Sequence, residues 1–376
     1  MKILIAPDKF KGSLTSIQVC QAIHDGLMAI NPSFDIQAFP LADGGEGTSD
    51  LLTHYCDGKI ISLQVHDPLF RLIDSSYGIS KDGSTAFIEM AKASGLVLLK
   101  PEERNPMLAS TIGTGEVIRD ALERGVTKII LGVGGSATND AGIGVTAALG
   151  MEFYSSTNEQ LKPIGENLIR IASMNTANVH PRVKDVAFTL LCDVDNPLHG
   201  PHGAAHIFAS QKGADEKSIA WLDDGLRHFG DVVKRKLHRN VDFQGAGAAG
   251  GLPAGLMALT DVTITSGIDY VIGFTGLAEQ VQQADLVITG EGKIDAQTLS
   301  GKVVKGVADL AKKYRKPVVA FAGKSSVSDQ EKSMLGLHSI ITLEGSDVPE
   351  EEAFRNAFSV LRMRVESSLP GILCTL

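Results

Sequence analysis

The sequence predicts an α/β protein of two α/β domains: an open parallel sheet with its helices, and a mixed α/β domain inserted into it. Three observations carry this expectation. The chain opens on a strand–helix–strand pattern, the same rhythm returns only after residue 285, and the stretch that follows the opening reads as hairpins. Its 376 residues also exceed the roughly 250–300 at which one hydrophobic core stops growing.

Taken in order, Ile3 to Ala6 form an apolar run, Ser13 to Ile30 show helical spacing with Ser13 or Thr15 as N-cap, and Asp35 to Phe39 return to strand composition. A second helix starts at Thr48. From about Lys59 to Ala91, short β-branched stretches broken by Asp67-Pro68 and Asp82-Gly83 favour antiparallel hairpins. Glu116 to Arg124 then read as helix, Lys128 to Val133 and Ala187 to Cys192 as buried strands, and Asp215 to Leu237 as a long surface helix. The α/β rhythm resumes with a strand at Leu286–Thr289, a helix at Val303–Tyr314 and strands at Val318–Ala322 and Ser339–Leu343. A helix from Glu350 to about Ser368 closes it. The expected division is residues 1–64 plus 285–376 as the open-sheet domain and 65–284 as the inserted one.

A net charge of −9 argues against broad neutralisation of nucleic-acid phosphates, so positive charge for an anionic ligand must be local. The four cysteines are scattered, without zinc spacing or a disulfide framework. No apolar run reaches membrane-spanning length. A cytoplasmic protein without nucleic-acid or membrane partners is expected.

Several strand ends carry chemistry. Asp8-Lys9-Phe10-Lys11-Gly12-Ser13 follows the first strand and offers two lysines and a carboxylate where open α/β sheets bind ligands. An ordinary capped loop is the alternative. Asp43-Gly44-Gly45-Glu46-Gly47 adds an acidic turn whose glycines let a ligand approach the backbone. Gly134-Gly135-Ser136, continuing to Thr138, Asn139 and Asp140, follows a buried strand and offers backbone and hydroxyl donors to phosphate. A dinucleotide loop competes, since Gly132-x-Gly134-x-x-Ala137 is a partial GxGxxA. Gly245-Ala246-Gly247-Ala248-Ala249-Gly250 matches GxGxxG literally but lacks a preceding strand, and Ala322-Gly323-Lys324-Ser325 mimics only the end of a P-loop. Cys192-Asp193-Val194-Asp195-Asn196-Pro197 and Gly290-Glu291-Gly292-Lys293-Ile294-Asp295 each end a strand in carboxylates suited to Mg²⁺ or to accepting a hydroxyl proton. His199, His202 and His206 have a zinc-like spacing but sit in a Gly/Pro-rich loop without cysteine partners.

These stretches, together with Leu41 to Thr48, Glu103-Arg104-Asn105-Pro106, Thr111 to Glu116, Gln211-Lys212-Gly213-Ala214, Gly245 to Gly251 and Ile288 to Thr298, resemble the bacterial type I glycerate kinase family. The resemblance runs in order over nearly the whole chain and fades beyond Lys324. It implies a two-domain enzyme, one domain flavodoxin-like, that phosphorylates D-glycerate with ATP and a divalent cation in a cleft between the domains. It points to 2-phosphoglycerate as product, with 3-phosphoglycerate as the alternative.

On this reading Asp193 accepts the hydroxyl proton and Lys11 assists transfer. Asp8, Lys9, Ser13, Asp43, Gly44, Gly45 and Arg104 hold the substrate. Gly134, Gly135, Ser136, Thr138, Asn139 and Gly290 hold ATP, and Asp195, Glu291 and Asp295 hold Mg²⁺. The reading leaves room for a homodimer. An NAD(P)-dependent hydroxy-acid dehydrogenase and a non-catalytic anion-binding regulator are the competing functions.

Overall fold

The computed structural model describes residues 1–300 and 302–375. Along the chain the first strands are β1 (Lys2–Ile5), β2 (Asp35–Ala38), β3 (Lys59–His66), β4 (Leu72–Ile79) and β5 (Thr85–Glu89). Then come β6 (Lys128–Gly132), β7 (Glu152–Tyr154), β8 (Ser173–Asn175), β9 (Ala187–Leu191) and β10 (Val262–Thr265). The last are β11 (Leu286–Ile294), β12 (Val318–Ser325) and β13 (Ser339–Thr342). The chain forms two compact units, Met1–Asp43 with Gly267–Leu376, and Gly44–Ser266.

In the first unit all neighbouring strands are parallel, in the order β2-β1-β11-β12-β13. Counted within the unit this is 2-1-3-4-5, the flavodoxin-like order, whose topological switch point lies between β1 and β11. The strands are apolar because both faces are covered. Ile3, Ile5, Ile288 and Phe321 pack with Val19, Ile23 and Leu27 of the helix Ser16–Ile30 and with Leu361 and Val365 of the helix Ala357–Leu373. Thr15, not Ser13, caps the first helix: the Gln18 amide donates to Thr15 Oγ1 (3.2 Å), and the Thr15 amide donates to Gln18 Oε1 (2.9 Å).

In the second unit a six-stranded sheet runs β10-β9-β6-β5-β4-β3. Strands β3, β4 and β5 form the expected hairpins, and β5, β6, β9 and β10 are parallel. One core fills this sheet, with Tyr77, Phe188 and Leu256 inside it. A second core gathers around Leu222, Leu226 and Phe229 of the helix Glu216–Leu237, whose N-cap Asp215 accepts from the Ser218 amide (2.8 Å).

The unit junctions fall at 43/44 and 266/267, where the sequence reading had placed them at 64/65 and 284/285. Strand pairing explains the first difference and helix packing the second. Strand β3 pairs along its whole length with β4, which ties residues 59–66 to the second sheet. The helices Gly267–Thr275 and Leu277–Gln283 pack with the helix Val303–Lys313 of the first unit. Three elements also differ in extent. Strands β11 and β12 continue to Ile294 and Ser325, so Glu291 and Lys324 lie on strands and not in turns, and the closing helix is broken into Glu350–Arg355 and Ala357–Leu373. Among the described residues no helix is long and apolar enough to cross a membrane.

Candidate active site

The first unit gathers charge at the carboxyl end of β1 and β11, its switch point. The Asp8 amide donates to the Gly290 carbonyl (2.8 Å), which carries the pairing with β11 past the end of β1 as far as Asp8, whose side chain is buried. Its Oδ1 accepts the Lys9 amide (2.7 Å). Burial foremost, and then the field of Asp43, pushes the Asp8 carboxyl up to about 8 against the pull of the Lys9 amide and ammonium. Glu291 is pushed up to about 7, again by burial first, while the Thr298 hydroxyl and Lys302 oppose the shift and Asp43 and Asp295 add to it. Asp8 and Glu291, both in the field of Asp43, therefore titrate near neutrality.

These carboxylates line a cavity of about 400 Å³ together with Lys9, Lys11 and Ser13. Lys293, Lys302 and Lys324 complete its charged rim, and Phe10, Leu343 and Phe354 form an apolar wall. Lys293 pairs with Asp295 (2.9 Å) and Lys324 with Glu350. Half-protonated carboxyls among lysines can bind an anion and exchange a proton with it. Gly290, expected at the nucleotide, is buried within β11 and spends its carbonyl on Asp8.

In the second unit Gly134 and Gly135 are exposed after β6, and Gly135 has a left-handed backbone (φ +73°). Gly44 and Gly45 lie alongside: a β-carbon at Gly132 would sit 2.6 Å from the Gly44 carbonyl oxygen, and one at Gly134 would be 3.6 Å from Gly45 Cα. From Ser136 to Asp140 the turn is buried. Asp140 is committed to donors outside the turn. Its Oδ2 accepts from the Thr111 amide and hydroxyl (2.8 Å each) and from the Gly144 amide (3.2 Å), and its Oδ1 accepts from the Gly142 amide (3.2 Å). Burial raises the Asp140 carboxyl against these bonds. Of this turn only Gly134 and Gly135 are exposed, and the following helix is Ile143–Ala148.

Asp193 is exposed at the end of β9. Asp195 accepts the Gly245 amide on its carbonyl (3.0 Å) and the Gln244 side chain on Oδ2 (3.3 Å). The GxGxxG segment is a clamp: the Gly247 amide donates to the Asn196 carbonyl (3.0 Å), and the Gly250 carbonyl accepts the Ala141 amide (2.9 Å), joining the 193–197 loop to the 136–141 turn. Arg104 follows a short 3₁₀ turn, and its Nε is buried without a hydrogen-bond partner. His199 faces Asp242 (3.5 Å) and His206 faces Asp223 (4.0 Å), so these two do not converge. Among the described residues no three His, Cys, Asp or Glu side chains are arranged to hold a metal.

The sequence reading assigned no role to Lys212. It is buried, and its Nζ donates to Ser136 Oγ and to the Thr138 carbonyl (2.7 Å each). Its only sequence signal was its place in the Gln211–Ala214 stretch.

The glycerate kinase family model matches residues 3–369. The chain belongs to the glycerate kinase family. It is 44% identical over 359 residues to the glycerate 2-kinase of Escherichia coli K12, covering 95% of this chain and 94% of that one. It is 42% identical over 368 residues to a glycerate kinase of Bacillus cereus, covering 98% and 97%. A crystal structure from Salmonella typhimurium LT2, assigned as a glycerate kinase 2, matches with a TM-score of 0.88 at 40% identity, over 100% of this chain and 99% of that one. Membership makes the chain an ATP-dependent kinase of this family, and the two-unit α/β architecture agrees with that structural relative.

Proposed function

We propose that the protein transfers the γ-phosphate of ATP to the 2-hydroxyl of D-glycerate, giving 2-phosphoglycerate. The observation that carries this reading is the switch-point cavity of the first unit, where lysines and part-protonated carboxyls meet in a chain of the glycerate kinase family. Lys9, Lys11 and Ser13 bind the glycerate carboxylate or the transferring phosphoryl oxygens, with Asp8 and Asp43 orienting the hydroxyls. The exposed backbone of Gly134 and Gly135, with Ser136, seats the ATP phosphates. Transfer of this kind rests on positioning and charge stabilisation, with one carboxylate taking the hydroxyl proton.

Asp193 is the first candidate for that proton, being an exposed carboxylate just beyond β9. A second reading gives it to Glu291, whose carboxyl is buried and held at about 7, the range a general base needs. Mg²⁺ keeps most of its waters and takes one or two protein carboxylates with the substrate phosphates. With Asp193 as the base, Glu291 fits the metal best of the three carboxylates expected there. It shares a cavity wall with Asp8 and Asp43, whose mutual repulsion a divalent cation would relieve, whereas Asp295 is paired with Lys293 and Asp195 is bonded to Gln244. When bound, Mg²⁺ would neutralise the charge developing on the transferred phosphoryl group.

Incubation with D-glycerate, ATP and Mg²⁺, followed by identification of the product, tests activity and regiochemistry together. Formation of 2-phosphoglycerate with stoichiometric ADP is the expected result. Accumulation of 3-phosphoglycerate would move the reaction to the other hydroxyl, and absence of ATP turnover would overturn the reading.

A further inference from the structure

We propose that Lys212 is a positioning residue for phosphoryl transfer, bracing the turn at Ser136 and Thr138 and setting a positive charge beside it for the oxyanions of a bound nucleotide. The inference rests on the reading of the 134–136 turn as the phosphate seat. Lys212 is 2% exposed, and its ammonium is bonded only to neutral oxygens, Ser136 Oγ and the Thr138 carbonyl. Its anchor is fixed. Lys212 ends the 3₁₀ turn Ser210–Lys212, and Gly213 (φ +97°) passes so close to Arg104 that a β-carbon there would lie 2.2 Å from the Arg104 carbonyl oxygen.

Burying an ammonium without a paired carboxylate is costly, and two hydrogen bonds to neutral oxygens offset only part of that cost. A brace needs a donor here but not a permanent charge, which a docked anion would stabilise. The charged side chain whose field reaches Lys212 is Asp140, and that carboxylate is already committed to Thr111, Gly142 and Gly144. No other charged side chain lies on the Ser210–Lys212 turn or between Gly134 and Asp140.

A second, independent observation lies in the same turn. Thr138 Oγ1 and both polar side-chain atoms of Asn139 are fully buried without a partner, on residues that are 0% exposed. Native proteins leave few such groups, and their concentration beside the Lys212 acceptors marks polar capacity that the fold itself does not use. Burial lowers the Lys212 ammonium to about 7, with Asp140 acting in the opposite direction. An anion docking on the turn favours the charged form, so nucleotide binding and protonation of Lys212 are linked.

The test is calorimetric titration of the full-length protein with Mg·ATP between pH 6.5 and 9, repeated at pH 8 in two buffers of different ionisation enthalpy. Wild type should take up about half a proton or more at pH 8, and its Kd should weaken about tenfold or more towards pH 9. Lys212→Met should abolish the uptake and raise Kd at pH 6.5 by about tenfold, with the Kd for D-glycerate unchanged. Lys212→Arg retains the charge at every pH; it should bind as wild type does at pH 6.5, without proton uptake, and it decides the matter if the methionine variant does not fold. The ligand's own protonation is common to all three proteins. Wild type without proton uptake, or uptake that persists in either variant, would overturn the role of Lys212. Gly134→Val separates this from the underlying reading. If it leaves ATP binding intact, the turn is not the phosphate seat and both ideas fall; if it weakens ATP binding while Lys212→Met does not, only the Lys212 inference fails.

Discussion

The two units present charge and backbone donors in opposite ways. In the first, charge stands at a cavity wall: lysines on loops and strand ends share it with Asp8 and Glu291, two carboxyls that burial and the field of Asp43 keep part-protonated. In the second, the exposed surface of the turn is glycine backbone, and the Lys212 ammonium lies behind it, bonded to the turn's own oxygens. Side-chain charge of the first kind suits a ligand whose protons must move; backbone donors suit a ligand gripped by its oxygens. Substitutions should therefore affect different kinetic constants in the two units.

The largest effect should come from the proton acceptor, and it decides which unit supplies it. Asp193→Asn removes a charge from an exposed strand end with little disturbance to packing. If Asp193 is the base, kcat should fall by roughly 10²–10⁴ with Mg·ATP affinity retained. If the base is Glu291, the corresponding loss appears in Glu291→Gln while Asp193→Asn stays near wild type. Parallel steady-state kinetics on the two folded variants give the answer, and near-normal kcat in both would remove both candidates.

Next in size is Lys11→Met. The side chain is exposed at the cavity rim, so the fold should be untouched. Loss of one charge-assisted hydrogen bond predicts a KM for glycerate about 10- to 100-fold higher and little change for ATP. Equal effects on both substrates would break the division of labour between the units.

Much of this arrangement was legible in the chain. The βαβ opening, the hairpins broken at Asp67-Pro68 and Asp82-Gly83, and the long helix after Asp215 follow from local periodicity and caps, which act over a few residues. The misread features depend on partners distant in sequence. Gly290 and Gly292 read as turn residues, yet β11 runs straight through them because β12 pairs with it as far as Ser325. Asp140 read as part of a phosphate loop, but Thr111, 29 residues away, helps convert it into a buried internal cap. The cavity loops Asp8–Ser13 and Asp43 were visible as motifs, and their convergence with Glu291 comes from the pairing of β1 with β11. Nothing local marks Lys212 as buried, since a lysine between glutamine and glycine has the composition of a surface turn.

A smaller effect sharpens the second unit's side of the comparison. Gly134 is the better probe of the turn, because Gly135 has φ +73° and any β-branched residue there strains the backbone whatever it does to a ligand. A β-carbon at Gly134 meets nothing closer than 3.6 Å. Gly134→Val should raise KM for ATP roughly tenfold and leave KM for glycerate within about twofold. A rise in the glycerate constant instead would reassign the turn to the acceptor.

The smallest effect is on stability, and its sign differs between the units. Asp8 and Glu291 have carboxyls held at about 8 and about 7, above the ordinary range near 4. Their neutral forms are favoured in the fold, so the stability they contribute is full below about pH 4 and is lost as pH rises through 7–8. Lys212, lowered to about 7, behaves oppositely: its contribution is present above about pH 10.5 and is lost as pH falls through 7. Thermal unfolding followed from pH 5 to 9 separates them by variant. Asp8→Asn, which keeps the shape and cannot ionise, should flatten the alkaline decline by about 5 °C relative to wild type at pH 9 and change little at pH 5. Lys212→Met should instead gain on wild type towards pH 6. If Asp8→Asn leaves the profile unchanged, the Asp8 carboxylate must be stabilised by the neighbouring lysines over the whole range, and the first unit's cavity would then be an ion-paired site no longer poised to move a proton.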